Sequence, residues 1–138
     1  MNEQELGFEK LRVYKLSFEA AMEIFFISKS FPKEETYSLT SQIRRSSRAV
    51  CECIAEAYRK RIYPKHFVSK LTDSDAECSE TIVWLSFAYR CNYISQEVYK
   101  VKYGSYNEIG KMLGNMIKYP EKFCLQKSGN SSTSNDSH

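Results

Sequence analysis

Between Arg44 and Lys70 the chain carries eight Lys or Arg residues, at positions 44, 45, 48, 59, 60, 61, 65 and 70, against two acids, Glu52 and Glu56. The local charge is therefore +6 in a chain whose total is +3, before His66 is counted. Cations at this density neutralise backbone phosphates, and Tyr58 and Tyr63 among them offer rings on which unpaired bases stack. The candidate nucleic-acid-binding residues are Arg44, Arg45, Arg48, Arg59, Lys60, Arg61, Lys65 and Lys70. A solvated face is the competing reading. Arg48 can pair with Glu52 at i+4, Glu56 can pair with Arg59 or Lys60, and exposed pairs of this kind contribute little. Charge alone leaves both open.

The other reactive side chains are spaced wrongly for catalysis. A carboxylate-bridged metal centre inside a helical bundle needs Glu-x-x-His pairs, because i and i+3 project into one layer of the core. Histidine occurs only at 66 and 138, and neither has Glu three residues before it. Cys51 and Cys53, two apart on a helix, point about 200° away from each other, so packing is expected rather than shared ligation. The five cysteines (51, 53, 78, 91 and 124) cannot all pair and are expected as reduced thiols. No phosphate-cradling glycine loop is present, and one ordered imidazole does not make a nucleophile and base pair. The residues point to no enzyme, no metal ligands and no cofactor.

These cations must be positioned by helices. Five Gly and three Pro are few for 138 residues, and Pro32, Pro64 and Pro120 each fall where one helix can hand over to the next. No segment alternates with period 2 as a strand would. The first helix is predicted over Phe8–Ser30 and has two apolar stripes. Leu11, Tyr14, Phe18, Met22 and Phe25 form one; Val13, Leu16, Ala20, Ile24 and Ile27 form the other. A helix apolar on two sides is covered on two sides, so one stripe is expected to pack in the chain's own core and the other against another subunit, or against a central position in a single domain.

Thr36 or Ser38 is available to cap the second helix, predicted over Leu39–Arg61 with Leu39, Ile43, Val50, Ile54 and Ala57 inward and Ser46 and Ser47 permitting a close neighbour. Pro64 suits the first turn of a third helix reaching about Cys91, with Phe67, Leu71, Cys78, Ile82, Leu85 and Tyr89 inward and Asp73, Glu77 and Glu80 on a flank. Ser95 is the expected cap of the fourth, running to about Tyr119 with Val98, Val101, Ile109, Met112, Leu113 and Met116 inward and Lys100, Lys111 and Lys118 outward. Gly110 and Gly114 form a GxxxG that marks a close helix contact, within the subunit or across an interface. The expected architecture is all-α, an antiparallel up-down four-helix bundle over residues 1–123, followed by a polar, disordered tail over 124–138.

Composition agrees with this. Hydrophobic residues at 42% and charged residues at 27% describe a core-forming soluble chain. No apolar run approaches the roughly 20 residues of a membrane span, and residues 1–10 are acidic and polar where a signal peptide would be basic and then apolar. A cytoplasmic location without membrane contact is expected.

Five segments, taken together, resemble a known family. They are Phe8-x-x-Leu11-x-Val13-Tyr14-Lys15, Phe31-Pro32-Lys33-Glu34-Glu35, Leu39-Thr40-Ser41-Gln42-Ile43-Arg44-Arg45, Ile54-Ala55-Glu56 and Tyr93-Ile94-Ser95. In order and spacing, over about Phe8 to Tyr119, they resemble the four-helix-bundle proteins encoded in intervening sequences of bacterial large-subunit ribosomal RNA genes, a group that includes the accessory variability proteins of diversity-generating retroelements. The resemblance implies a left-handed antiparallel bundle in a ring-shaped homopentamer without enzymatic activity. In the retroelement members it implies a basic ring associated with nucleic acid and a reverse transcriptase partner. Arg44 and Arg45 carry over as basic-face positions, whereas Arg59 to Lys65 fall where the family varies but is often basic. This chain departs from the family at Cys51, Cys53 and Ala57, where many members have Pro, Asn and Gly, so a straighter second helix is expected.

The function expected is a non-enzymatic oligomeric scaffold that binds RNA or DNA through its basic surface. The alternative is a protein-interaction module that docks a partner enzyme such as a reverse transcriptase, without touching nucleic acid itself.

Overall fold

The chain enters through a single 3-10 turn, Gly7–Lys10, and bends at Leu11 before the first α-helix begins. The computed structural model describes residues 7–125, so all but the first two residues of the expected tail lie outside the described residues. Four α-helices follow: α1 (Arg12–Ser28), α2 (Leu39–Arg59), α3 (Pro64–Arg90) and α4 (Gln96–Lys118). Among the described residues there is no strand, and no helix is long and apolar enough to cross a membrane.

The first helix is shorter than its periodicity predicts, for a visible reason. Phe8 packs edge-on to Tyr14 (5.1 Å between ring centroids) and Tyr58 (6.5 Å), which folds the entering chain over the end of α2. Gly7 lies so near Tyr58 that a Cβ there would meet the phenol oxygen at 2.5 Å, so the approach requires glycine. Leu11 takes the extended backbone (φ −70°, ψ 132°) that separates the turn from α1.

Neither Thr36 nor Ser38 caps α2. Glu35, in a 3-10 turn at Lys33–Glu35, does this instead: its Oε1 accepts from the Leu39 amide (3.2 Å) and the Ser38 hydroxyl (2.7 Å). A longer side chain reaches the orphan amide from further back. At its other end α2 stops at Arg59, two residues early, because Lys60 and Arg61 turn tightly and Tyr63 must be extended before Pro64. The helix is otherwise unbroken through Cys51, Cys53 and Ala57. Asn92, at φ 66°, ends α3: its amide bonds to the Tyr89 carbonyl and that of Tyr93 to the Ala88 carbonyl, the pattern by which a left-handed residue closes a helix. Ser95 caps α4 as expected, accepting from the Val98 amide at 3.1 Å.

Contacts at matched heights make every neighbouring pair antiparallel. Ser46 meets Thr81 (2.8 Å) and Ser74 donates to the Val50 carbonyl (2.8 Å), with all three side chains fully buried between α2 and α3. Arg12 reaches Glu108 (3.4 Å) while Glu23 pairs with Lys102, which closes α4 onto α1. Tyr99 stacks on Tyr89 (4.9 Å) between α3 and α4. The centre holds Val13, Ile24, Ile43, Val50, Ile54, Phe67, Leu71, Leu85, Ile109 and Leu113, and each large apolar side chain enclosed in this way contributes about 2 kcal/mol.

The predicted inward stripe of α2 is the one found; in α3 Phe67, Leu71, Cys78 and Leu85 are buried while Ile82 and Tyr89 are only half-buried beside the buried Thr81 and Ala88, and α4 differs further. Val101 is 61% exposed and Tyr106 takes its place in the core, about 140° around the helix. Gly114 has nothing within 4 Å of where a Cβ would stand, and Gly110 only an ordinary contact, so the GxxxG makes no close helix contact among the described residues.

Candidate nucleic-acid interface

The structure divides the eight candidate cations into two groups. Arg44 faces back along α2 and closes the end of α1: its Nε donates to the Ser28 hydroxyl (2.7 Å), its Nη2 to the Phe25 carbonyl (3.4 Å), and its guanidinium lies 4.8 Å from the centre of the Phe25 ring. Arg45 spans to α3, where its Nη1 donates to Glu77 (3.2 Å) and its Nη2 pairs with Glu80. Lys70 pairs with Glu56 (2.9 Å) and Asp73 (3.6 Å), and the hydrogen bond it donates to Glu56 holds its ammonium above the ordinary lysine range. The acidic flank of α3 is thus matched within the chain to Arg45 and Lys70. Glu56 pairs with Lys70 rather than with Arg59 or Lys60.

The second group stands free. Arg48, Arg59, Lys60 and Lys65 are exposed and carry no ion pair among the described residues. Arg48 lies apart, 5.9 Å from the Phe25 ring on the α1 side of α2. Arg59, Lys60 and Lys65 gather at the turn between α2 and α3. Arg61 sits among them but is braced, its guanidinium 3.6 Å from the Tyr58 ring and its Nε donating to the Tyr58 carbonyl (2.8 Å).

That brace corrects one expectation. Tyr58, with Arg61 on its face and Phe8 and Gly7 against it, has no open face for a base. Tyr63 does, being 59% exposed with only the His66 ring nearby (5.4 Å). The same end of the bundle also receives residues that no sequence pattern places there. A 3-10 turn at Pro120–Lys122 after α4 docks on α3, with Phe123 stacked on Phe67 (6.3 Å) and the Leu125 amide bonded to the Arg61 carbonyl (3.2 Å). Lys118 and Lys122, with Tyr119 between them, thereby lie at the same end of the bundle as the α2–α3 turn.

A second surface lies on α1. Val13, Ala20 and Ile24 fill the core, while Phe18, Met22 and Phe26 remain 46%, 38% and 58% exposed. With Phe8, Tyr14, Phe25, Cys51 and Ala55, the Phe18 and Met22 side chains line an apolar groove of about 620 Å³ between α1 and α2. Among the described residues, then, the first stripe of α1 is left partly uncovered, Phe18 and Met22 open and Leu11, Tyr14 and Phe25 half-buried.

The thiols are separated. Cys51 and Cys78 are buried, and burial pushes Cys78 up to about 12. Cys53 lies beside Lys70 on the α3 side of α2 and is raised to about 11, again chiefly by burial. Among the described residues no three His, Cys, Asp or Glu side chains form a group that could hold a metal ion.

Residues 9–115 match the family model described as 23S rRNA-intervening sequence protein. A solved structure, a protein with unknown function from the S23 ribosomal protein family of Bacteroides thetaiotaomicron VPI-5482, is 31% identical, with a TM-score of 0.70, over 77% of this chain and 95% of that one. No curated protein matches the chain.

Proposed function

The chain belongs to the 23S rRNA-intervening sequence protein family, and on that basis we propose that it is a non-enzymatic, cytoplasmic scaffold that assembles as a homopentameric ring and binds nucleic acid through phosphates. The observation that carries this reading is the gathering of Arg59, Lys60 and Lys65, without carboxylate partners among the described residues, at one end of the bundle, with Arg61 held among them and Lys118 and Lys122 at the same end. Cations without a carboxylate beside them attract a polyanion more strongly than cations already paired with Glu or Asp. Arg44, Arg45 and Lys70 belong to the same basic sequence but act mainly in holding helices together. Arg48 is free to extend the surface along α2.

Assembly is supported by the uncovered stripe of α1, since apolar area of this kind on a small domain favours a protein contact. The same stripe favours a second reading, in which the ring docks a partner enzyme such as a reverse transcriptase and the charges only orient it. Reversing the charge at Arg59, Lys60 and Arg61 separates the two. Retention of labelled RNA or DNA is lost under the first reading, while capture of the partner is kept under the second. If the unmodified chain retains neither RNA nor DNA at low salt, the first reading fails.

A further inference from the structure

An exposed aromatic ring on a small domain gains most when something covers it, and at the basic end two such rings stand beside free cations. Tyr63 precedes α3, its backbone carbonyl accepting from the His66 and Phe67 amides and its own amide donating to the Lys60 carbonyl (2.9 Å). Its phenol makes no hydrogen bond among the described residues, and the residue before it, Ile62, is equally open. Among the described residues the Tyr63 ring meets only the His66 ring (5.4 Å), which leaves most of its surface open. Tyr119 at the end of α4 is also open at its surface, with the Lys118 and Lys122 ammonium groups 5.5 and 4.8 Å from its ring centre. Glu121, in the same turn, is the acid beside them.

Phosphate binding alone would require only the amines. Rings interleaved with amines match a strand whose bases are unpaired, because each base then presents a flat face to stack while its phosphate meets a cation. A duplex hides those faces in its own stack. Resting on the nucleic-acid reading above, we propose that this end of the bundle selects single-stranded nucleic acid, with Tyr63 and Tyr119 as stacking platforms and Arg59, Lys60, Lys65, Lys118 and Lys122 as phosphate contacts. Stacking of this kind is tolerant of base identity, so no sequence preference accompanies it.

The test uses the full chain and two fluorescein-labelled RNAs, an oligouridylate of about 12 nucleotides and a hairpin duplex of matched charge. The single strand is expected to bind more tightly. Tyr63→Ala and Tyr119→Ala should each weaken it by about five- to a hundred-fold while leaving duplex binding and the salt dependence unchanged. Tyr63→Trp, which keeps a stacking face, should restore single-strand binding. Equal binding of both RNAs, with the alanine variants unchanged, overturns the stacking proposal and leaves the phosphate reading intact. Loss of both RNAs to the same degree in the alanine variants also overturns it, since a merely structural role gives that result. No binding of either RNA by the unmodified chain overturns the parent reading as well.

Discussion

The Tyr93 hydroxyl donates to Glu35 Oε2 at 2.8 Å, joining the loop between α1 and α2 to the turn between α3 and α4 at the end of the bundle opposite the basic cluster. Phe31 lies against the same tyrosine (5.5 Å), and the other oxygen of Glu35 caps α2. One carboxylate thus holds two connections and a helix start.

The pH dependence of stability follows from this junction. Hydrogen bonds from Ser38, Tyr93 and the Leu39 amide, in that order, hold the Glu35 carboxyl below its ordinary value of 4.5. A depressed carboxylate stabilises the fold above its unfolded value and loses that contribution as pH falls through the lower folded value. Glu35→Ala is therefore expected to lower the melting temperature at neutral pH, with the two melting curves converging in acid. A gap that stays constant into acid would show that Glu35 acts through packing alone. The same bond pushes Tyr93 up to about 12, so its contribution is complete below 10 and is lost as pH rises toward the folded value.

In the core, the Tyr106 hydroxyl is buried without a hydrogen-bond partner among the described residues. Ser47, whose hydroxyl donates to the Arg44 carbonyl (3.2 Å), is near enough to influence the phenol, but its oxygen is not placed to accept the Tyr106 hydroxyl. Tyr106→Phe removes a buried polar atom and keeps the ring, so stability measured by urea denaturation should hold or rise, by up to about 1–3 kcal/mol. A clear loss would reveal a hydrogen bond to that hydroxyl.

The uncovered stripe of α1 predicts self-association. Light scattering should give a particle well above the 16.1 kDa of one chain, about five times that mass for the proposed ring. Phe18→Glu with Met22→Glu should yield monomers of unchanged helicity, because both side chains face away from the core. A monodisperse single subunit from the unmodified chain contradicts the ring.

Arg45 offers a test by gain of function. Its guanidinium is matched to Glu77 and Glu80, so Glu77→Gln with Glu80→Gln should free one cation. Binding of RNA should tighten, and the plot of log affinity against log salt should steepen by about 0.7–0.9 if one more phosphate is neutralised. Unchanged binding would place Arg45 outside the surface the strand follows.

Much of this fold was legible because helices write themselves into sequence locally. Pro64 and Ser95 mark their helix starts through backbone chemistry within a few residues, and the Ile43, Val50, Ile54 stripe repeats with the helical period. The errors fall where distant segments decide. Leu11 breaks α1 because Phe8 packs on Tyr58, which lies far along the chain. Val101 reads as core by period, yet the register of α4 against α1 and α3 places Tyr106 inward instead. The basic cluster was visible as composition. That Arg44, Arg45 and Lys70 are engaged within the bundle depends on Ser28, Glu77, Glu80 and Glu56 arriving from elsewhere on other turns and helices, and no local pattern announces it. The docking of the turn at Pro120–Lys122 beside the α2–α3 turn, through Phe123 on Phe67 and the Leu125 amide on the Arg61 carbonyl, was missed for the same reason.

The most direct measurement is a salt titration of a labelled single-stranded RNA, followed by fluorescence anisotropy, with the full chain and with Arg59→Gln, Lys60→Gln, Lys65→Gln. Affinity should fall linearly with the logarithm of salt for the unmodified chain, and the triple variant should bind more weakly with a slope shallower by about 2, at roughly 0.7 for each phosphate left without its cation. Absence of binding at low salt, or a triple variant that keeps both affinity and slope, contradicts the assignment of this end of the bundle to nucleic acid.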